Sequence, residues 1–364
     1  MEDVFAVQDE IASTIAERLR LSLTADREGQ PAHPPTRNIA AYELYLKGRG
    51  LLYQRGLSIP KAIDCFTEAV ALDPAYAQAW AGLADGYITS GYSGFKPAAQ
   101  VMPRALEAAR RALQLDPDLA EGHNALACAT LLYELNFDVA EREFRRALEL
   151  NPSYPQALAW YALFFLHWVA GREREAREEL LRLLQLDPLS GYANVILSFS
   201  EFCSGRLSEA VDHARRGMDL DPNSYLAHWS LMNALLYNAQ WEEAAAVAER
   251  ALDMSKRHTW ALSTLVLIYA AWDKPDQARA VYREVEARSE REYVQPAMHL
   301  LAAAAVGDMD QAIAIAQRAV QDKDPLFVML ARTWPGYDRL RKDSRFLEIV
   351  SQLGFPGWSP ARGS

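Results

Sequence analysis

Cysteine is scarce in this chain of 364 residues, which contains only Cys65, Cys128 and Cys203. These cysteines are widely separated, and none belongs to a CxxC pair or to another spacing typical of metal ligands. An odd number of isolated thiols excludes a disulfide-rich scaffold and gives no support for a zinc site. We therefore expect reduced, buried thiols and a cytoplasmic location.

The chain also has fewer basic than acidic residues, 38 against 48, which gives a net charge of −10. Such a balance disfavours contact with a phosphate backbone, so we expect no nucleic-acid partner. The one basic cluster, within residues 332–345, is interrupted by Asp338 and Asp343 and indicates a solvated helix face.

Long apolar runs are missing as well. The longest, Trp160–Gly171 and Ala261–Trp272, are too short to span a bilayer. The opening residues MEDVFAVQDE contain neither a basic n-region nor an apolar h-region, so we expect no signal peptide. The sequence therefore predicts no membrane insertion.

Catalytic motifs are not found either, since the chain contains no HExxH, no GxSxG and no phosphate-binding loop. The seven histidines are scattered, and the paired carboxylates Glu178-Glu179 and Glu242-Glu243 fall on charged helix faces. We predict no catalytic residue, no metal site, no cofactor and no enzymatic activity.

What the chain does contain is an internal repeat of helical segments. An alanine recurs in steps of 43, 35 and 36 residues and then four times in steps of 34. Small or apolar residues stand four and seven positions after each marker, and proline stands twelve positions after the first five. The marker alanines are Ala62, Ala105, Ala140, Ala176, Ala210, Ala244, Ala278 and Ala312.

A period near 34 with a helix–turn–helix unit resembles the tetratricopeptide repeat. The resemblance implies an all-α fold, a right-handed α-solenoid of about eight repeats with terminal capping helices. The marker alanine would let the two helices of a repeat cross closely, and Gly50 is predicted to be the partner small residue of the first repeat. First helices would line the concave surface and second helices the convex one.

We predict four regions along the chain. Residues 1–25 form an amino-terminal helix with an apolar stripe at Val7, Ile11, Ile15 and Leu19, and residues 26–37 form a linker. Residues 38–325 form the solenoid and residues 326–364 a capping segment. The stretch EDVFAVQDEIASTIAERLRLSL resembles the closing helix of the TolB-like domains that precede such repeats in bacterial adenylate cyclases, winged-helix regulators and sensor kinases. A plain capping helix is the alternative.

Two segments depart from the strict period. Repeat two carries about nine extra residues within Ile88–Pro103, which we expect to form a loop that bulges from the stack. Tyr92 and Phe95 in this insertion would pack on a neighbouring repeat or face a partner. Near the carboxy-terminal end, Ser344 or Asp343 would cap a last helix with its apolar face at Phe346, Ile349, Val350 and Leu353.

The inward positions of repeats four to seven are unusually rich in large rings. Aromatic side chains in a concave surface suit a partner segment with apolar anchors. The predicted partner-binding residues are Tyr161, Phe165, Trp168, Tyr192, Phe199, Phe202, Trp229, Asn233, Tyr237 and Trp260. Alternatively, these rings pack between adjacent helices, or the terminal segments of the chain fill the groove.

The sequence therefore predicts a protein-interaction scaffold that binds a protein or peptide segment in an aromatic groove. The alternative is a sensory or regulatory module of a split or truncated bacterial signalling protein, suggested by residues 3–23. The oligomeric state is left open.

Overall fold

The computed structural model describes residues 36–358, and in this range every regular element is a helix. We number the α-helices α1 to α18. The first nine are α1 Ile39–Gln54, α2 Ile59–Leu72, α3 Ala77–Tyr92, α4 Ala98–Leu115, α5 Ala120–Ala129, α6 Phe137–Leu150, α7 Pro155–Ala159, α8 Glu173–Leu186 and α9 Gly191–Cys203. The others are α10 Leu207–Leu220, α11 Tyr225–Tyr237, α12 Trp241–Ser255, α13 Thr259–Ala271, α14 Pro275–Ser289, α15 Pro296–Ala305, α16 Met309–Gln321, α17 Pro325–Leu330 and α18 Ser344–Ser351.

Helices α1 to α16 form eight antiparallel pairs, repeats 1 to 8, and successive first helices pack against one another along the inner side. All eight marker alanines are buried at these helix contacts. The α-solenoid predicted from the 34-residue period is confirmed.

The turn after each of the first five repeats contains an Asp-Pro or Asn-Pro pair. Asp73 ends α2 in an extended conformation, and its Oδ1 accepts a hydrogen bond of 3.0 Å from the backbone N–H of Ala75. Asn151 makes the equivalent bond of 3.1 Å to the N–H of Ser153. Because the following proline has no N–H to continue the helix, the side chain closes the turn instead.

Two first helices contain π-helical stretches, Thr130–Glu134 after α5 and Trp160–Val169 after α7. In a π-helix each backbone N–H donates to the carbonyl five residues earlier in the chain. The side chains that follow are therefore rotated relative to their positions in a regular α-helix. The second stretch carries the densest group of aromatic residues in the chain and therefore changes which of them face inward.

The structure corrects two local predictions. The insertion in repeat 2 does not form a long loop, because Ile88–Tyr92 complete α3 and α4 already begins at Ala98, with Pro103 inside it. The loop is only residues 93–97. In repeat 1 the small contact residue is Gly48, where a Cβ would lie 2.7 Å from the Phe66 ring, whereas Gly50 faces open space.

The solenoid curves until its second repeat contacts its seventh and eighth. Phe95 in the short loop packs on His258, with 5.0 Å between ring centroids. Gln295 is buried and its Nε2 donates to the carbonyl of Tyr92 at 3.1 Å and to Asp324 Oδ1 at 2.8 Å. Gly94 adopts φ +74°, and a Cβ there would lie 2.8 Å from Gln295 Oε1, so this contact requires glycine.

The C-terminal segment, residues 326–358, turns back into the concave side. Helix α17 contacts α3 and both π-helical stretches, and α18 packs on α16. The Asp343 side chain caps α18 by accepting a hydrogen bond from the Arg345 N–H, and Phe346, Ile349, Val350 and Leu353 are all buried. The predicted capping helix is confirmed.

Residues 1–35 and 359–364 lie outside the described residues. The predicted amino-terminal helix within residues 1–25 and most of the linker at residues 26–37 fall there. The four region boundaries remain predictions.

The role of the marker alanines can be tested by comparing two positions of α12. Ala244 is buried at the crossing, whereas Ala246 on the same helix is exposed. Ala244→Leu should overpack the crossing and lower the free energy of unfolding by about 1–3 kcal/mol. Ala246→Leu should change it by less than about 0.5 kcal/mol. Urea unfolding followed by circular dichroism measures both, and equal midpoints would show that the alanine is not at a tight contact.

Candidate partner-binding site

The predicted partner-binding residues all lie on first helices of repeats 4 to 7, and most of them are buried. Tyr192 and Tyr237 remain partly accessible. The side chain that covers the centre of this surface belongs to the chain itself: it is Trp334 of the C-terminal segment, which is only 1% exposed.

Five of the predicted residues surround the indole of Trp334 and form what we call the aromatic cage: Trp168, Phe199, Phe202, Trp229 and Tyr237. Trp229 stacks on Trp334 with 5.4 Å between centroids and 12° between planes. Phe202 meets it edge to face at 4.9 Å and 84°. Offset stacking and edge-to-face contact are the favourable arrangements of aromatic rings.

The backbone around Trp334 is fixed by hydrogen bonds from neighbouring arginines. Arg341 Nη2 donates to the carbonyl of Trp334 at 2.8 Å, and its Nη1 donates to the carbonyl of Ala331 at 3.2 Å. Arg332 Nη1 donates to the carbonyl of Val169 at 2.7 Å and so ties the segment to repeat 4. At Gly336 a Cβ would lie 2.8 Å from Leu301 and 3.0 Å from the Tyr237 hydroxyl, which leaves no room for a side chain.

Tyr161 and Phe165 lie elsewhere. Both rings pack on Phe144 of α6, at 5.7 and 6.4 Å, and the Tyr161 hydroxyl donates to Glu141 at 3.1 Å. They form the contact between repeats 3 and 4. This matches the alternative stated above, in which the rings pack between adjacent helices.

Trp160 and Phe164, which the sequence mapping missed, take the neighbouring positions. Both pack on Tyr92, and Trp160, Phe164 and Trp168 stack in a row with interplanar angles of 18° and 7°. The sequence signal for this row was the spacing of the three rings at i, i+4 and i+8. In the π-helical stretch, residues at this spacing lie along one side of the helix.

The remaining predicted residues lie beside the cage. Asn233 Nδ2 donates to the carbonyl of Trp229 at 2.7 Å, within its own helix. Trp260 packs on Trp229 at 4.5 Å, and its Nε1 donates to Gln295 Oε1 at 2.7 Å. Tyr192 lies under the Arg55 guanidinium, 5.7 Å from ring centroid to Cζ. In the described chain the surface is thus occupied by the C-terminal segment, and partner contact by these residues stays a prediction.

The opposite end of the inner surface is polar. Asp85 is buried, and its Oδ2 accepts a hydrogen bond of 2.8 Å from Gln156 Nε2 while Oδ1 has no hydrogen-bond partner among the described residues. Burial raises the pKa of Asp85 to about 7, although the nearby Arg49 and Arg55 guanidinium groups oppose the shift. The inner surface therefore changes from polar in repeat 2 to aromatic in repeats 4 to 6.

Other kinds of site find no support in the part of the chain that the structure describes. No group of three or more histidine, cysteine, aspartate or glutamate side chains between residues 36 and 358 is arranged to hold a metal ion. No helix in that range is long and apolar enough to cross a membrane.

The raised pKa of Asp85 predicts a specific pH dependence. Between about pH 4 and pH 7 the unfolded chain ionises this carboxyl while the folded chain keeps it protonated, so the folded state loses stability as pH rises. Asp85→Asn removes the effect, and its stability relative to the parent should increase across this window by on the order of 1 kcal/mol per pH unit.

Urea unfolding midpoints at a series of pH values measure the difference between the two chains. Asp219→Asn, which removes an exposed carboxylate from α10, controls for the general effect of lost charge. A difference between Asp85→Asn and the parent that does not change with pH would contradict the prediction.

Comparisons with known proteins agree with the repeat register. A family model described as "Tetratricopeptide repeat" matches residues 130–190. A stretch of 145 residues is 32% identical to "Putative adenylate cyclase 3" of Rhizobium meliloti (strain 1021), and the match covers 39% of this chain and 24% of that protein. The chain thus spans about a quarter of the length of this curated relative.

Solved structures of low sequence identity share the fold. The crystal structure of the APC/C hetero-tetramer Cut9–Hcn1 matches with a TM-score of 0.58 and 14% identity, over 85% of this chain and 55% of that chain. Human IFIT1, solved as a dimer with PPP-AAAA, matches with a TM-score of 0.57 and 17% identity, over 86% and 72%. These likenesses show the fold, a solenoid of paired α-helices, and the tetratricopeptide-repeat family model matches one segment of it, residues 130–190.

Proposed function

We propose that this protein is an interaction scaffold whose concave surface binds an extended partner segment through an aromatic anchor, in exchange for Trp334. The aromatic cage around Trp334 is the observation that carries the proposal. The cage supports the proposal because five rings hold one indole, and an arginine holds the flanking backbone.

The composition of the cage supports this assignment. Aromatic pairs contribute about 0.5–1.5 kcal/mol each beyond the effect of buried area, and aromatic anchors in desolvated pockets dominate the energetics of many interfaces. Ordinary repeat contacts are satisfied by smaller residues, as in repeat 8, where Leu301 and Ala304 are buried at inward positions. The ligand we infer is a protein or peptide segment with a tryptophan or a similar ring.

The resident segment sets the affinity that a partner needs. A tethered segment competes at an effective concentration on the order of millimolar. A partner at micromolar concentration must therefore bind about a thousandfold more tightly than the resident segment would if untethered, a difference of about 4 kcal/mol. Recognition would be an exchange equilibrium in which the chain's own segment suppresses weak partners.

The exchange can be tested with the full chain and a fluorescent peptide that reproduces residues 325–358. Trp334→Ala weakens the resident segment by roughly 2 kcal/mol or more. We expect this variant to bind the peptide at least tenfold more tightly than the parent chain does, as measured by fluorescence anisotropy.

Three controls give the result its meaning. Trp358→Ala alters a tryptophan of the same segment outside the cage, which packs on Phe355, and should leave binding at the parent level. A peptide with alanine in place of the Trp334 residue should not bind, and adding Trp229→Ala to the Trp334→Ala chain should abolish binding. If Trp334→Ala only lowers the melting temperature and no variant takes up the peptide, the rings are core residues and the proposal fails.

We also propose, as a second candidate, that the chain is a regulatory module of a bacterial signalling system. The observation in its favour is the 32% identity over 145 residues to a protein described as a putative adenylate cyclase. A gene for a cyclase, kinase or winged-helix regulator next to the gene for this chain supports the idea. A purified product of that gene whose activity is the same with and without the chain contradicts it.

The setting we infer is a reducing cytoplasm. The three cysteines are unpaired, and two of them, Cys65 and Cys128, are buried. Burial raises the pKa of the Cys128 thiol well above its ordinary value, so it is an unreactive core group. We propose no catalytic role for the chain, in keeping with a repeat architecture that generally serves as a non-enzymatic scaffold.

A further inference from the structure

Helix α1 carries an uncovered apolar stripe on its outer face. Ile39 is 75% exposed, Leu46 is 49% exposed, and Tyr42 and Tyr53 are 40% and 46% exposed. These four side chains make up nearly half of the large exposed hydrophobic residues in the described range; the others are Leu57, Leu72, Leu186, Leu189 and Met254.

The stripe has the geometry of a helix-docking surface. Ile39, Tyr42, Leu46, Gly50 and Tyr53 follow steps of three, four, four and three residues, which places them along one line of an α-helix. At Gly50 a Cβ would meet nothing within 4 Å, so another backbone can approach closely there. Glu43, Lys47 and Gln54 are exposed beside the stripe and form a polar margin.

The position of α1 in the solenoid explains why the stripe is bare. Each later first helix is covered by the second helix of the preceding repeat, as α3 is covered by α2. Helix α1 packs on α2 and α3, and no repeat precedes it among the residues that the structure describes. Its outer face is thus the position that the next element toward the amino terminus would occupy.

We propose that residues 3–23 of this chain dock on the stripe of α1 and cap the amino-terminal end of the solenoid. The sequence predicts a helix there, and Val7, Ile11, Ile15 and Leu19 form an apolar line of matching length and spacing. The proposal goes beyond partner binding in the aromatic cage, because it concerns the opposite end of the molecule.

The connecting residues make this occupant more favourable than a second copy of the chain. The 12 residues of the linker 26–37 reach up to about 40 Å when extended, and the 16-residue α1 is about 24 Å long. Docking is therefore possible in either direction. The tether also holds residues 3–23 at an effective concentration on the order of millimolar, which a second copy does not match at ordinary protein concentrations.

Hydrogen exchange measured by mass spectrometry on the full chain tests the proposal. In the parent, amides within residues 3–23 should exchange at least tenfold more slowly than in an unstructured peptide. Leu46→Glu should remove this protection, whereas Gln54→Glu, which adds the same charge on the polar margin, should preserve it. Ile11→Glu should also remove protection, with Ser13→Glu on the opposite face of the predicted helix as its matched control.

The two sets of variants keep the test decisive. Ile11→Glu alters the docking segment and leaves the repeats unchanged. It therefore tests docking even if Leu46→Glu disturbs the folding of α1. Unprotected residues 3–23 in the parent, or protection that survives both Leu46→Glu and Ile11→Glu, would overturn the proposal. A dimer in analytical ultracentrifugation that Leu46→Glu dissociates without changing exchange in residues 3–23 would assign the stripe to a second copy and would also overturn it.

Discussion

Close approach of two helices at a buried alanine is the constraint on which this structure depends. All eight marker alanines lie at such contacts, where a larger side chain would push the second helix of a repeat away from the first. Repeats that stack on one another through such helix pairs are each rotated slightly relative to the last. The accumulated rotation gives the solenoid its concave side.

The curvature has a consequence at long range. Loop 93–97 reaches repeats 7 and 8, and the contact is completed by a buried polar network centred on Gln295. Its partners include the Asp324 carboxylate, which also accepts from the Ala297 and Leu326 N–H groups at 2.7 and 3.0 Å. Asp324 caps α17, so the network that joins distant repeats also directs the C-terminal segment inward. A buried network with its hydrogen bonds made specifies one arrangement among many apolar alternatives.

The closed arrangement changes what the inner surface can do. A concave aromatic surface that is already filled is not a passive groove, since any ligand must replace Trp334 and its contacts. The polar end near Asp85 and the bare stripe of α1 lie away from the cage, so different parts of the chain can carry different contacts. In the exchange proposed above, a resident segment that a partner can replace would control binding without a second domain.

Patterns in the sequence were enough to predict the repeat period, the helix pairs, the turn residues and the last capping helix, because these depend on residues a few positions apart. Alanine spacing, Asp-Pro pairs and the Phe346 stripe are local signals of that kind. The aromatic residues that the sequence singled out lie on repeats 4 to 7, where Tyr161 and Phe165 pack on repeat 3 and not in the cage. The π-helical stretch at Trp160–Val169 rotates those rings, and no regular periodicity predicts it.

The segment that fills the concave surface, and the contact of repeat 2 with repeats 7 and 8, follow from the three-dimensional arrangement of the repeats. Trp334 lies about a hundred residues or more along the chain from every ring of its cage except that of Tyr237, and Gln295 is about two hundred residues from the Tyr92 carbonyl that it binds. These contacts depend on the sum of small rotations over several repeats. A pattern within one repeat cannot supply that sum, so the sequence singled out the aromatic rings but offered a terminal segment only as one of several possible occupants.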